Sequence, residues 1–375
     1  MRIIHVLTLV TPDGEYGGPL RVALNQVAGL RAAGHDVILA AGASGFGPTL
    51  PTRYAGVDVT LFPAHNAVPG TGFAGLVSPG LTRFLHRWGP TADVGHVHLA
   101  RDLVGLPAAL TLQARGVPYV AQTHGMVDAS DSPLAAPLDA VMTRRALRGA
   151  RRVLGLTERE LDDLREVDPA LTELEVLHNG VPETPLRARP AEGPPEVLFL
   201  ARLAPRKRPV EFVQAAQVLA RRYPQATFAV VGPDEGEAEP VRRLLADDDA
   251  DGRIRYEGPL PPSQTVARMA RSAVYVLPAV DEPYGMTLIE AMSVGLPTVC
   301  INDCGLAPLV RSTGGTVADR SVESLVGAVD ELLGDPERRV AAGLAGLAHV
   351  QSEVTMPGIV RRLEGIYGRA TGAAR

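Results

Sequence analysis

Cysteine is nearly absent. Cys300 and Cys304 are the whole complement, too few for a disulfide framework and without the extra ligands of a zinc site. A reducing cytoplasm is the expected home. Aromatic residues make up 4% of the chain, and the abundance of Ala, Arg, Gly and Pro reads as genome composition with no function attached. No apolar run reaches the ~18–20 residues of a membrane span. The apolar N-terminus, Met1 to Val10, carries a single Arg, has no small-residue cleavage site and runs into Asp13-Gly14-Glu15, so it reads as a buried first strand rather than a signal segment. Positive charge is in deficit, at a net −5. That argues against nucleic acid as a partner and weakens the case for anionic lipid. Gly-x-Gly-x-x-Gly and a Walker lysine are both missing, so hydride transfer and ATP hydrolysis lose their usual signatures.

What is present is a rhythm. At 375 residues, 46% hydrophobic and 21% charged, the chain should form two soluble domains. Short apolar runs alternate with helical stretches, the pattern of parallel βα units. Strands are expected at 2–10, 36–41, 57–62, 94–98, 119–123, 152–156 and 174–177, with helices at 20–33, 103–115, 138–150 and 158–166. Thr157 and Glu160 spell a capping box for the last of these. From Val181 to Pro195 the chain becomes Pro-rich, which marks a linker. The rhythm then restarts, with strands at 196–201, 227–231, 253–257, 274–277 and 298–301. Helices follow at 209–222, 238–246, 263–271, 287–294 and 322–333, then from about 336 onward. The fold class is therefore α/β, two doubly wound Rossmann-like domains, 1–181 and 182–354, with a C-terminal helix at about 355–375 packing back on the first. Ligands in such sheets bind at the carboxyl ends of strands, so the two domains are expected to enclose a cleft.

The segment 281–292, Asp-Glu-Pro-Tyr-Gly-Met-Thr-Leu-Ile-Glu-Ala-Met, is the most informative. Glu282 and Glu290 flank a glycine turn that opens a helix. Backbone N–H groups and the helix dipole there suit an anion such as a pyrophosphate. The carboxylates on either side suit hydroxyls, which together describe a nucleotide-sugar. The same residues also fit a structural reading, because Thr287-Leu288-Ile289-Glu290 spells a capping box.

Other candidates lie at strand ends. Arg202, Arg206, Lys207 and Arg208 follow the first strand of the second domain, where Arg forks and a Lys point charge suit phosphate, or form a solvated loop. Tyr16-Gly17-Gly18-Pro19 follows the first strand of the chain, with Pro19 suited to a first helical position and glycines that let backbone approach a ligand. His124-Gly125 ends another strand and reads as a ligand contact or a satisfied loop histidine. His96 and His98 alternate on one strand without a carboxylate or cysteine to complete a metal site, and read as structural. Arg144, Arg145, Arg148, Arg151 and Arg152 are expected on one helix face, solvated or meeting phosphate or a membrane surface. Asp247-Asp248-Asp249 reads as a solvated turn, and no Asp-x-Asp metal motif is present.

In combination these motifs resemble the nucleotide-sugar-dependent glycosyltransferases of family 4, which have the two-domain GT-B fold, over nearly the whole chain. Glu282 and Glu290 match the Glu-x7-Glu motif and Arg202 and Lys207 the Arg-x4-Lys pair. Gly17-Gly18, His124-Gly125 and His178-Asn179-Gly180-Val181 stand in the expected places. The resemblance implies that Arg202 and Lys207 hold the donor diphosphate, helped by backbone at Gly285, Met286 and Thr287. Glu290 would contact ribose and Glu282 the donor sugar. His124 would lie near the anomeric carbon. The base would lie against Gly258-Pro259-Leu260, and Gly17 and Gly18 would close over phosphate or acceptor. Catalytic roles would fall to His124, Arg202, Lys207 and Glu282. The resemblance further implies retention of configuration, no metal or other cofactor, and most often a UDP-sugar donor. Leu306-Ala307-Pro308-Leu309 departs from the family in lacking an acidic residue.

Two rivals remain, a sugar-nucleotide epimerase on the same fold and a non-catalytic sugar-nucleotide-binding protein. The acceptor is expected to be either a small soluble molecule or a lipid-linked sugar, in polysaccharide or natural-product glycoside biosynthesis. The setting is cytoplasmic, with weak peripheral contact at the inner membrane face allowed.

Overall fold

The computed structural model describes residues 1–12, 17–68, 70–130, 135–189, 193–246 and 252–372. Tyr16 and the Asp247–Asp249 run lie outside these. The chain divides into two compact units, Met1–Gly180 with Met356–Arg375, and Val181–Thr355.

In the first unit seven parallel strands form one sheet: β1 (Arg2–Val10), β2 (Asp36–Ala43), β3 (Thr60–Pro63), β4 (Val94–His98), β5 (Tyr119–Gln122), β6 (Arg152–Gly155) and β7 (Leu174–Val176). Their order is β7-β6-β5-β4-β1-β2-β3. Strands of such a sheet are covered on both faces, so β1 and β4 are buried almost throughout. Ile3, Leu7 and Val10 pack with Leu24, Val27, Ile359, Leu363 and Tyr367. These come from α1 (Gly17–Ala32) and the chain's last helix (Met356–Thr371). α1 starts at Gly17, so Pro19 is its third residue and not its first. The expected Arg-bearing helix is broken into α-helix at Ala135–Leu138, a π turn at Asp139–Thr143 and α-helix at Arg144–Gly149. Helix α2 (Glu158–Val167) follows β6.

The second unit has six parallel strands: β8 (Glu196–Leu200), β9 (Thr227–Val231), β10 (Ile254–Tyr256), β11 (Val274–Leu277), β12 (Thr298–Ile301) and β13 (Thr316–Ala318). Their order is β10-β9-β8-β11-β12-β13, the doubly wound Rossmann arrangement. Helix α3 (Pro209–Arg222) follows β8 and α4 (Met286–Ser293) follows β11. The Pro-rich segment belongs to this unit, with Val181 bridging Thr355 and Ala188 N donating to Val294 O. In each sheet the strand order reverses direction once, between β1 and β4 and between β8 and β11. A crevice at the carboxyl ends follows from that reversal.

Candidate functional site

At the β8/β11 reversal two loops are tied together. Val280 N donates to Arg206 O at 2.9 Å, and the Lys207 ammonium donates to the Glu282 carboxylate. Arg206 reaches the same carboxylate oxygen at 3.4 Å. Both ends of the Lys207–Glu282 pair are largely out of water, at 11% exposure each. Burial draws the Lys207 pKa down, Glu282 pulls it back up, and Arg206 and Arg202 add to the depression. Arg202 itself turns toward Glu235, at 2.7 Å. Arg208 is not part of this cationic surface: it donates to Glu211 Oε1 and to the Arg320 carbonyl, at the N-terminus of α3.

Glu282 is followed by Gly285, which caps α4 at φ 85°, a left-handed conformation that favours glycine. A Cβ there would also meet Leu288 Cδ1 at 3.0 Å. Helix α4 begins at Met286. Thr287 is therefore inside the first turn, and the capping box that Thr287 and Glu290 spell is not made from that position. Glu290 lies at the fifth helical position and is buried. The Tyr275 hydroxyl donates to Leu200 O at 3.0 Å. Burial pushes its pKa up, a hydrogen bond from the Thr287 hydroxyl draws it back, and the nearby Glu290 and Glu282 carboxylates raise it further. A tyrosine hydroxyl, two carboxylates, a lysine and a helix N-terminus thus converge on one sheet reversal. The Gly258-Pro259-Leu260 loop ends the edge strand β10, tied by Gly232 N to Gly258 O at 2.9 Å.

The β1/β4 reversal in the first unit is built differently. Register sets His5 opposite His96, and His98 opposite Gln122. His5, His96 and His98 are fully buried, and His124 is 8% exposed. Their rings stack, with centroids 4.4 Å apart for His5 and His96 and 5.0 Å apart for His98 and His124. Burial pulls the pKa of all four down, to about 3 for His96 and His124. None has a carboxylate partner to favour its charge. His5, His96 and His98 bring ring nitrogens within 4.8 Å of one another, a spacing a metal ion could use. Each of the six nitrogens is already hydrogen-bonded, to another histidine, Tyr367 or Gln122. The stack is explained without a metal.

His124 adopts φ 55°, an uncommon backbone for a side chain of that size. Glu160 holds it there. Its Oε1 accepts from the Thr123 hydroxyl and from Gly125 N at 2.6 Å, and its Oε2 accepts from Leu156 N at 2.7 Å. Burial raises the Glu160 pKa against these three donors. The expected capping box is made, with Thr157 accepting from Glu160 N at 3.2 Å. Its carboxylate, however, clamps the His124 turn as well, a role the spelling of a capping box does not reveal. Gly232 was also missed. A Cβ on it would stand 1.8 Å from Ala201 O, so β9 can end against the Arg202 loop as it does because that position is glycine.

Lys207, Glu282, Gly285, Met286, Thr287 and Glu290 are brought together in one unit, with Arg202 beside them and Pro259 and Leu260 at the sheet edge. Gly17, Gly18 and His124 belong to the other unit. The arginines expected on one face are dispersed. Arg144 donates to Val167 O, Arg148 grips the buried Asp168 through two hydrogen bonds, and Arg152 opens β6 and pairs with Glu173.

Two family models cover the chain. The model described as Glycosyl transferases group 1 matches residues 183–347, and that described as Glycosyl transferase 4-like domain matches 17–180. The chain belongs to this glycosyltransferase family. It is 31% identical over 273 residues to the glycogen synthase of Mycobacterium tuberculosis, a match covering 68% of this chain and 64% of that protein. The chain thus spans a little under two thirds of that relative's length. It is 29% identical over 306 residues to the 2-deoxystreptamine glucosyltransferase of Streptomyces kanamyceticus, covering 74% of the chain and 78% of the relative. Among solved structures it resembles the sucrose-phosphate synthase of Thermosynechococcus elongatus, with TM-score 0.77, 18% identity and full coverage of both chains. It also resembles Anabaena HepE in complex with UDP, with TM-score 0.75 and 16% identity over 97% and 99% of the two chains. The glycosyltransferase fold of these two Rossmann-like units is GT-B. Among the described residues, no helix of the chain is long and apolar enough to cross a membrane.

Proposed function

We propose that the chain transfers a sugar from a nucleoside-diphosphate-sugar, a UDP-sugar by preference, to an acceptor hydroxyl with retention of configuration and without a metal. The observation that carries this is the Lys207–Glu282 pair at the β8/β11 reversal, beside the α4 N-terminus. The two groups neutralise each other. A diphosphate would take over Lys207, with Arg202, and release Glu282 to accept from sugar hydroxyls. Glu290 accepts from the ribose. Backbone at Gly285–Thr287 adds donors at the positive end of the helix. His124, in the first unit, is an acceptor for a substrate hydroxyl.

The positive charge of Arg202 and Lys207 serves the leaving group as a metal otherwise would. The bond from the anomeric carbon to the diphosphate oxygen lengthens through an oxocarbenium-like state. The acceptor oxygen bonds to the same face, and its proton passes to the departing diphosphate. The UDP bound to Anabaena HepE supports the choice of donor base. The aminocyclitol glucosyltransferase relative supports a small soluble acceptor. A cytoplasmic setting accompanies that choice.

A thermal-shift screen of UDP-, GDP- and ADP-sugars tests the donor. A UDP-sugar should give the largest rise, and EDTA should leave transfer unchanged. In Glu290→Gln the nucleotide affinity should fall about 10–100-fold, the worth of a charged hydrogen bond. Unchanged affinity in that variant would remove Glu290 from the site, and product formed without acceptor would favour an epimerase.

A further inference from the structure

The buried histidines form a directed chain, and its direction can be read from its ends. At one end is Gln122, whose Oε1 accepts from Gln26 Nε2 at 3.0 Å and lies 3.1 Å from His96 Nε2. A carbonyl oxygen accepts and does not donate, so His96 carries its proton on Nε2 and offers a lone pair at Nδ1. That nitrogen is 2.7 Å from the Tyr367 hydroxyl, which must donate to it. With its one proton used, the Tyr367 oxygen accepts from His5 Nε2 at 3.2 Å. His5 Nδ1 is then a lone pair, and His98 Nε2 donates to it at 3.1 Å. His98 Nδ1 is in turn a lone pair, and His124 Nε2 donates to it at 2.8 Å. The chain ends at His124 Nδ1, a buried nitrogen with no hydrogen-bond partner among the described residues.

We infer that Tyr367, His5 and His98 are positioning residues that lock His124 as the Nε2–H tautomer and so present its Nδ1 as a proton-free acceptor for a hydroxyl of the substrate. The substrate part of this inference rests on the transferase reading above; the tautomer part does not. The identity of the second ring nitrogen's partner sets the tautomer of any neutral histidine. Here that control passes through four rings from the last helix of the chain to a strand-end loop. The shared burial of the four rings, with no carboxylate hydrogen-bonded to any of them among the described residues, keeps each neutral and so keeps the chain directional. Alternative roles are worse served. A proton wire to solvent would need an ionisable group at the inner end, and Gln122 cannot titrate.

The direction follows from which atom Gln122 presents, so the experiment must report the tautomers themselves. Side-chain nitrogen–proton correlation spectra of the 15N-labelled full chain at pH 7 should show His5, His96, His98 and His124 each protonated on Nε2 alone. His124 is assigned by the signals lost in His124→Gln. A proton on His124 Nδ1, or an imidazolium among the four, overturns the inference. Tyr367→Phe keeps the ring and deletes the hydroxyl. His96 should keep its tautomer, held by Gln122, while His5, His98 and His124 become mixtures. Transfer by that variant should fall on the order of tenfold, the scale of losing a partner that orients a functional histidine. Loss of thermal stability with all four tautomers unchanged would mark Tyr367 as packing only. Wild-type spectra decide the direction even if Tyr367→Phe fails to fold. A chain with the expected tautomers but no transferase activity would sink the functional reading and leave the tautomer chain standing.

Discussion

The two sheets reverse at the same topological point and equip it in opposite ways. At β8/β11 cations meet carboxylates: Lys207 and Arg206 on Glu282, Arg202 on Glu235. At β1/β4 four histidines and a tyrosine meet one another with no opposite charge within the stack. Desolvation is large in both places. In the second unit a partner of opposite sign offsets it and the charges persist; in the first nothing does, and the rings stay neutral. Topology chooses where a ligand can sit, and side-chain electrostatics decide which part of it is held there. A charged reversal suits an anion, whereas a neutral one suits hydroxyls.

Acid should break this comparison most severely. The four histidines stay neutral in the fold, while in the unfolded chain they take up protons below about pH 6.5. Their folded pKa values are depressed, to about 3 for His96 and His124, so the stability they carry is present above pH 6.5 and is lost as pH falls below it. Asp102 acts the other way. Burial raises its pKa to about 6, against three hydrogen bonds from Thr8, Val104 and Gly105, so the fold gains from its protonation as pH falls toward the ordinary carboxylate range. Glu160 is raised likewise. Four histidines outweigh two acids, so the first unit should lose stability between pH 7 and 5. Amide exchange at both pH values is the measurement: protection in β1 and β4 should collapse well before protection in β8 and β9. Equal loss in both sheets would erase the distinction drawn here.

Lys207→Ala should sharpen it. Under the transferase reading the variant loses a donor to the leaving diphosphate, worth about 10²–10³-fold in turnover. It also strands the Glu282 carboxylate, leaving it Arg206 at 3.4 Å. Steady-state rates with a saturating donor, beside a melting curve, separate the two effects. Wild-type turnover would refute the phosphate role.

Much of this was legible in the residues, for physical reasons. Buried parallel strands announce themselves as apolar runs, which is why 94–98, 227–231, 274–277 and 298–301 coincide with strands. Helices with polar flanks did likewise at 209–222 and 238–246. Pro79–Trp88, Ala307–Ser312 and the strand Thr316–Ala318 were not anticipated. The last two are short segments that leave weak periodicity, whereas Pro79–Trp88 has Leu81 and Leu85 buried at the helical i, i+4 spacing. At the site, the residue types and their strand-end positions were readable, but their pairings were not. Nothing in the spelling shows that Arg208 turns to Glu211, that Arg202 turns to Glu235, or that His5 joins His96 and His98 from a strand about ninety residues away. Sheet order creates those neighbours. Backbone strain is equally silent, although His124, Arg208 and Asp281 all take positive φ in strand-end loops.

The smallest test uses two identical spellings, one in each unit. Thr157-x-x-Glu160 and Thr287-x-x-Glu290 both fit the capping-box pattern. At Thr157 the hydroxyl accepts from Glu160 N, so Thr157→Ala should cost about 1 kcal/mol. At Thr287 the cap is Gly285 two residues earlier, set by its left-handed φ, and the hydroxyl pairs with Tyr275 instead of capping. In a Tyr275→Phe background, where its bond to Tyr275 is already gone, Thr287→Ala should therefore change unfolding by less than about 0.5 kcal/mol. Urea midpoints read by fluorescence would resolve the difference. Equal losses at the two threonines would mean that α4 opens two residues later in solution, giving Glu290 the role of a cap.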